Sequence, residues 1–380
     1  MKIFVISRGF PTPKDPQWGS FEFDQAKALR AMGHKVVMLS VDVRWKSKSR
    51  IPGIKKKEEE GVISYDLYCG PWVVLSRISL RIYDSFSGYL VKKLFQYVQQ
   101  REGRPDVIYS HYLDSSDYAL CVKRKYHIPV VGLEHWSELG KVEPSMFAID
   151  KAKRVYPQLD YLFVVSNALR QNILKLTGIK SDVLPNVIGA DFIMNNTKRT
   201  PGVIKFVSTG NLLPIKRMDL IIQALHILRT KGLRADITIV GDGPERGKLK
   251  QMINALGFEN CVHLVGRKTR HEIVDVLNDS DVYIMASSSE TFGVAAAEAL
   301  ACGIPAIVTD CGGPRDFITS SNGIIIPLND AAKLADAMEY MVNHHCEYDH
   351  MKISEDFHNK FSPEAVANRI TNVFSKVIEK

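Results

Sequence analysis

Short apolar runs alternate with amphipathic segments along almost the whole chain, and this alternation restricts the fold more than any other feature. Apolar runs buried on both faces pair in parallel, and each parallel pair needs a crossover, which the amphipathic segments supply as helices. The first half reads as strands at 2–7, 35–40, 62–68, 106–109, 129–133 and 161–165. Helices fit 20–32, 77–101, 115–126 and 167–176. The second half repeats the pattern, with strands at 204–208, 236–240, 262–265, 281–286, 305–309 and 323–326. Its helices fit 218–230, 245–256, 271–277, 294–302 and 331–341. The expectation is an α/β chain of two Rossmann-like, doubly wound parallel-sheet domains facing a cleft, with ligands at the carboxyl ends of the strands.

At 380 residues the chain is too long for one ordinary core. The polar, aperiodic stretch from Asp191 to Gly202 is the best linker. It divides the chain into 1–195, 196–362 and a last amphipathic helix, 363–380, expected to pack back on the first domain. The charged stretch from Val43 to Glu60, with Lys46, Lys48, Arg50, Lys55, Lys56 and Lys57, reads as a mobile loop.

Composition narrows function. A hydrophobic share of 45% beside 24% charge describes a soluble globular protein. No run suits a membrane span and no signal-peptide pattern opens the chain, so a cytoplasmic location is expected. Six scattered cysteines and dispersed histidines suggest neither disulfides nor a metal site. Residues 1–190 hold 29 Lys and Arg against 19 Asp and Glu, a net +10, whereas the remainder holds 21 against 23, a net −2. Any acidic partner therefore meets the first half. Aromatic residues do not interleave with the basic run, which argues against nucleic acid.

The stretch from Ser287 to Gly303 carries the most chemistry. A buried strand, a serine turn and an alanine-rich helix place Glu290 in the loop and Glu298 about two turns into the helix. Amides near Phe292, Gly293 and Val294 would be free at the helix start, which suits a phosphate. Solvated glutamates fit the same spacing. Gly210, Asn211, Lys216 and Arg217 form a loop between strand and helix, and Gly241 to Pro244 is a tight glycine turn. Gly19 and Ser20 open the first helix, where they could admit phosphates or simply cap it. His135 and His111 each fall just past a strand, where a histidine can orient a hydroxyl or can be structural.

The order of these motifs, from Ser288-Ser289-Glu290-Thr291-Phe292-Gly293 through Glu298 to Gly303-Ile304-Pro305 and Thr309-Asp310-Cys311-Gly312-Gly313, resembles glycosyltransferase family 4, with its E-x7-E pair. The resemblance implies the GT-B fold, a nucleotide-sugar donor held mainly by the second domain, and retaining transfer without a metal or other cofactor. It implies that Glu290 holds donor-sugar hydroxyls, Glu298 the ribose, and Lys216 the diphosphate, with Gly210 in the same loop. Asn211 stands where the family more often has arginine, and Arg217 is the candidate replacement. By the same resemblance Gly241 and Arg267 lie on the nucleotide side, Gly19 and Ser20 approach the phosphates, and His135 meets the transferring sugar. Pro185-Asn186-Val187-Ile188 resembles the family's stretch before the linker.

The expected co-substrate is a UDP-sugar, or a GDP-sugar, and the expected acceptor a glycan or lipid-linked glycan of cell-surface polysaccharide assembly. The basic first half and the basic-apolar helix from Arg77 to Lys93 suggest contact with an anionic membrane surface, the inner face of the plasma membrane. The competing readings are a sugar phosphorylase, a sugar-nucleotide epimerase and a non-catalytic nucleotide-sugar-binding subunit.

Overall fold

The computed structural model describes residues 1–12, 18–42, 52–70, 79–141, 143–195 and 202–379. The chain forms two compact units, Met1–Val187 with Pro363–Lys380, and Ile188–Ser362.

The first unit holds strands β1 (Lys2–Ser7), β2 (Lys35–Asp42), β3 (Gly53–Glu59), β4 (Val62–Tyr68), β5 (Val107–His111), β6 (Val130–Glu134), β7 (Tyr161–Val164) and β8 (Asp182–Val183). They lie in the order β3-β4-β2-β1-β5-β6-β7-β8. All neighbours are parallel except β3 and β4. Every residue of β5 and β6 is buried, as expected of a sheet covered on both faces. One cluster joins Phe4, Ile6, Val37 and Leu39 to Leu94, Phe95 and Val98 of the helix Leu80–Glu102. The helix Pro363–Ile378 belongs to this unit, with Val366, Ile370, Val373, Phe374 and Val377 forming its buried stripe. Its Phe374 ring meets Tyr109 of β5 edge-on at 5.3 Å, and Thr371 Oγ1 lies 3.0 Å from His34 Nε2.

The charged stretch read as a loop is partly a strand, which corrects that expectation. Gly53–Glu59 pairs antiparallel with β4 at the sheet edge, where lysines and glutamates face water and discourage further pairing. An exposed edge strand lacks the apolar signal of the inner ones, so its residue pattern resembles that of a loop. Lys46, Lys48, Arg50 and Arg77 lie outside the described residues.

The second unit holds β9 (Ile204–Thr209), β10 (Ala235–Val240), β11 (Val262–Gly266), β12 (Val282–Met285), β13 (Ala306–Thr309) and β14 (Gly323–Ile326), ordered β11-β10-β9-β12-β13-β14 and wholly parallel. This is the doubly wound order, and its direction reverses between β9 and β12. Its core packs Phe206, Ile237, Ile239 and Ile284 against Ile221, Leu225 and Leu228 of the helix Met218–Thr230, and against Met338. Composition put the linker at 191–202, but residues before it already join this unit. The Ile188 amide donates to Phe361 O at 2.9 Å, and Asn278 bonds Ile193 O and the Asn195 amide. Among the described residues, no helix is long and apolar enough to cross a membrane.

Glu102 pins the edge of the first sheet. Tyr65 donates to its Oε1 at 2.7 Å, Lys56 of β3 reaches the same oxygen at 3.0 Å, and Lys35 of β2 reaches Oε2 at 3.0 Å. Burial alone would raise this carboxyl, but bonds from Tyr65, Lys56 and Lys35 together hold it at about 2, against an ordinary 4.5. A depressed carboxyl stabilises the fold above its unfolded pKa, and that contribution disappears as pH falls through the folded value. Glu102→Gln should therefore lower the melting temperature by several degrees at pH 7, and the gap should close between about pH 4.5 and 2. Thermal melts across that range check the sign.

Candidate functional site

In the second unit the loops leaving β9 and β12 meet at the switch point. After β9 the chain makes one tight turn, Pro214–Lys216, before the helix Met218–Thr230. The Ser288 amide donates to Ile215 O at 2.8 Å, which ties the two loops together. This brings Lys216 Nζ to 2.5 Å from Glu290 Oε1, and Ser287 Oγ donates to the same oxygen at 2.7 Å. Glu290 is held from below as well: its amide donates to Cys311 O at 2.8 Å, and its carbonyl accepts from the Gly313 amide at 2.9 Å. Neither charged side chain is fully buried, so the pair can open toward an incoming polar group.

Three residues later the helix Val294–Ala301 begins at Gly293, whose φ of 91° is left-handed, and no side chain caps it. Its first amides are suited to an anion. Phe292 is buried and packs on Phe317 at 5.3 Å, so what it presents at this helix start is backbone. Glu298, half-buried, sits in the second turn. Tyr283 of β12 feels both carboxylates: burial raises its hydroxyl pKa first, and Glu298 and Glu290 add to the rise. Its hydroxyl lies 3.3 Å from Thr209 Oγ1 at the end of β9.

The β10 loop closes against the β9 loop through bare backbone. Gly241 has φ of 143°, and a Cβ there would stand 1.8 Å from the Gly210 carbonyl oxygen, so only glycine fits. The Gly210 amide donates to Val240 O, and the Gly241 amide to Gly266 O. Lys216 and Arg217 diverge. Arg217, left-handed at φ 49°, spends its fork on Asp219 at 3.1 and 3.2 Å and on Asn329 Oδ1. Asn211 is half-buried in the loop after β9, and Arg267 is exposed beyond β11.

In the first unit the polar residues gather where β1, β5 and β6 end. His111 closes β5 and His135 follows β6; both are buried, and His111 Nδ1 lies 3.0 Å from His135 Nε2. Tyr112, at φ 71° a strained non-glycine residue, lies 4.8 Å from the His135 ring and carries the Arg8 guanidinium 3.7 Å from its own centroid. Arg8 Nε reaches the fully buried Glu22 at 3.3 Å. Burial lowers His135 to about 3, with the Arg8 charge adding to it. Gly19 has φ of 75°, and a Cβ there would stand 2.2 Å from the Gly9 carbonyl oxygen, so only glycine fits. It is also the N-cap of the helix Ser20–Ala31, so Ser20 is the first helical residue rather than the cap.

Residue order alone does not single out Glu134, Arg8, Tyr112, Glu22 or Tyr283, since each gains its meaning from partners distant in the chain. Glu134 is buried, with Oε2 accepting from Tyr156 at 2.7 Å and Oε1 from the His135 and Trp136 amides at 2.8 and 2.6 Å. The one available signal was a carboxylate inside an apolar run.

Two family models match the chain. "Glycosyltransferase Family 4" covers residues 23–192 and "Glycosyl transferases group 1" covers 190–355. TuaC of Bacillus subtilis, named as a teichuronic acid biosynthesis glycosyltransferase, is 26% identical over 89% of this chain and 88% of its own. Among solved structures, sucrose-phosphate synthase of Thermosynechococcus elongatus superposes with a TM-score of 0.78 at 15% identity, covering 100% of this chain and 99% of that one. HepE of Anabaena, solved with UDP and glucose, gives 0.73 at 17% identity over 99% of this chain and 100% of its own. These likenesses show the GT-B fold.

Glu134 permits a pH test. Burial raises its carboxyl to about 7, against the pull of Tyr156 and the two amides. A raised carboxyl favours the fold below the unfolded pKa, 4.5, and loses that advantage as pH rises through the folded value. Glu134→Gln keeps an oxygen for both amides and does not ionise. Its melting temperature should therefore gain on the wild type as pH rises from about 4.5 to 7, as parallel melts will record.

Proposed function

The chain belongs to glycosyltransferase family 4, and on that premise we propose that it is a retaining, metal-independent transferase acting in cell-surface polysaccharide assembly. It moves a hexosyl or N-acetylhexosaminyl group from a UDP-sugar, in preference to a GDP-sugar, to a glycan or lipid-linked acceptor. The observation that carries this is the Lys216–Glu290 pair beside an uncapped helix start, at the switch point of a doubly wound sheet. The name of TuaC supports the polysaccharide setting.

In this reading Lys216 turns from Glu290 to the donor diphosphate, and the amides at Gly293 and Val294 share the charge that develops on it. Glu290, released and still held by Ser287, accepts from hydroxyls of the donor sugar, and Glu298 accepts from the ribose. The bond from the anomeric carbon to the phosphate oxygen breaks and the acceptor oxygen bonds on the same face. The acceptor proton passes to the departing diphosphate. Gly210, Asn211 and Gly241 shape the donor loop, Arg267 lies toward the nucleotide, and Gly19 and Ser20 approach the phosphates. Arg217 holds the loop through Asp219 and Asn329.

The acceptor reading extends to the membrane. On the helix Leu80–Glu102, Ile82 and Tyr89 are 53% and 55% exposed, two turns apart on one face, with Lys93 a turn further on. Apolar side chains beside lysine, in the half of the chain with the positive excess, suit an anionic bilayer surface on the cytoplasmic side.

Lys216→Ala and Glu290→Ala should each cut kcat by about a hundredfold or more while leaving the melting curve intact. Near-normal turnover in either variant would remove these roles. A thermal-shift panel of UDP-, GDP- and ADP-sugars identifies the donor, the UDP-sugars being expected to raise the melting temperature most. The protein should co-sediment with phosphatidylserine-containing vesicles at low salt, and Ile82→Ser/Tyr89→Ser should weaken this; salt-insensitive or absent binding rejects the membrane contact.

A further inference from the structure

Arg8 is the first residue after β1, and its side chain crosses to the end of β5, the neighbour at which the strand order of the first unit reverses. There its guanidinium lies 3.7 Å from the centroid of the Tyr112 ring, directly after β5. The Trp18 ring stands 5.2 Å away on centroid, and its Nε1 donates to the Arg8 carbonyl at 2.9 Å. Nε of Arg8 reaches Glu22 Oε1 at 3.3 Å. These contacts fix where the guanidinium sits.

The side chains around it are closed to solvent. Glu22 and His111 are fully buried, and Tyr112 and His135 are nearly so. His135 spends Nε2 on His111, and its Nδ1 is buried. The Arg8 side chain, by contrast, is 36% exposed. Of these five side chains, Arg8 is the one that offers hydrogen bonds to a ligand in the crevice where doubly wound sheets bind theirs.

The way Arg8 meets Glu22 leaves its fork open. Arginine–carboxylate pairs are frequently bidentate, and Arg154 holds Asp117 in that way, at 2.8 Å through each terminal nitrogen. Arg8 gives Glu22 only Nε, and Glu22 Oε2 accepts no hydrogen bond. Among the described residues, the Nε bond is the one hydrogen bond that the Arg8 guanidinium makes. Its two terminal nitrogens, backed by a ring and open to water, match two oxygens of one carboxylate or phosphate. The surplus of ten positive charges in residues 1–190 favours the same kind of partner.

We propose that Arg8 binds an acidic group, a carboxylate or a phosphate, carried by the sugar acceptor, through its Nη1 and Nη2 fork at the ends of β1 and β5. The acceptor is then an acidic or phosphorylated glycan rather than a neutral one. Tyr112 and Glu22 hold the guanidinium in place before the ligand arrives, so little freedom is lost on binding. That this glycan accepts a sugar rests on the glycosyltransferase reading; the anion site does not.

The test titrates the full chain with glucuronate, glucose 6-phosphate and glucose, by calorimetry, in a Lys216→Ala background that weakens the diphosphate site. Both acidic sugars should bind and neutral glucose should not; the tighter of the two identifies the acidic group. Arg8→Lys keeps a cation that can meet Glu22 and lie on Tyr112 but has no fork. It should weaken the tighter acidic sugar about tenfold, with little change in the melting temperature of the free protein. With Lys216 intact, it should leave the melting shift caused by UDP unchanged. Arg8→Gln should abolish acidic-sugar binding. Should that variant fail to fold, Arg8→Gln/Glu22→Gln, which leaves no buried charge unmatched, should show the same loss. Equal binding of glucose, no binding of either acidic sugar, or undiminished affinity in Arg8→Lys overturns the proposal. So does a loss of UDP binding in Arg8→Lys with acidic-sugar binding unchanged, which would assign Arg8 to the donor. If the acidic sugars bind through Arg8 while the protein turns over no nucleotide sugar, the transfer reading fails and the anion site stands.

Discussion

Lys216 and Glu290 are 74 positions apart and meet because β9 and β12 are hydrogen-bonded parallel neighbours whose crossovers leave in opposite directions along the sheet. The loop of each strand end is thereby freed from the path of the other's helix, and a site opens where the order reverses. Everything else at that site depends on this pairing. Ser287 and Cys311 steady Glu290, Ile215 O ties the two loops, and Tyr283 bridges from β12 to Thr209. The glycines at 210 and 241 let the third loop approach closely enough to complete the wall.

The first unit uses the same topology for a different balance of forces. Its switch point lies between β1 and β5, and around it are buried two histidines, two glutamates and an asparagine that a core would normally exclude. Arg8, Tyr112 and Tyr109 connect them, and strain at Tyr112 is tolerated because the surrounding contacts determine its position. Buried polar atoms with incomplete bonding are expensive. Five of them lie together around the ends of these strands.

Much of the fold was legible in residue order. β1, β4 and β14 run over the stretches their apolar patterns indicate, and the helix Met218–Thr230 starts and stops where its periodicity does. What failed did so for identifiable reasons. Lys55 to Glu59 reads as a loop because an edge strand gains its stability from one partner and leaves its side chains in water. Residues 191–195 look like linker because their anchor, Asn278, lies far along the chain. Arg217 looks available from its charge alone, and only the positions of Asp219 and Asn329 show that its fork is occupied.

The sequence by itself determined the alternation of strand and helix, the doubly wound sheets, and the candidate residues at strand ends, because these follow from local periodicity and turn chemistry. Tertiary structure alone decided which of those residues touch. The Lys216–Glu290 contact, the His111–His135 bond and the anchoring of Glu134 by Tyr156 are set by strand order and register. No local pattern encodes strand order, because it results from the competition of all strands for neighbours in one sheet.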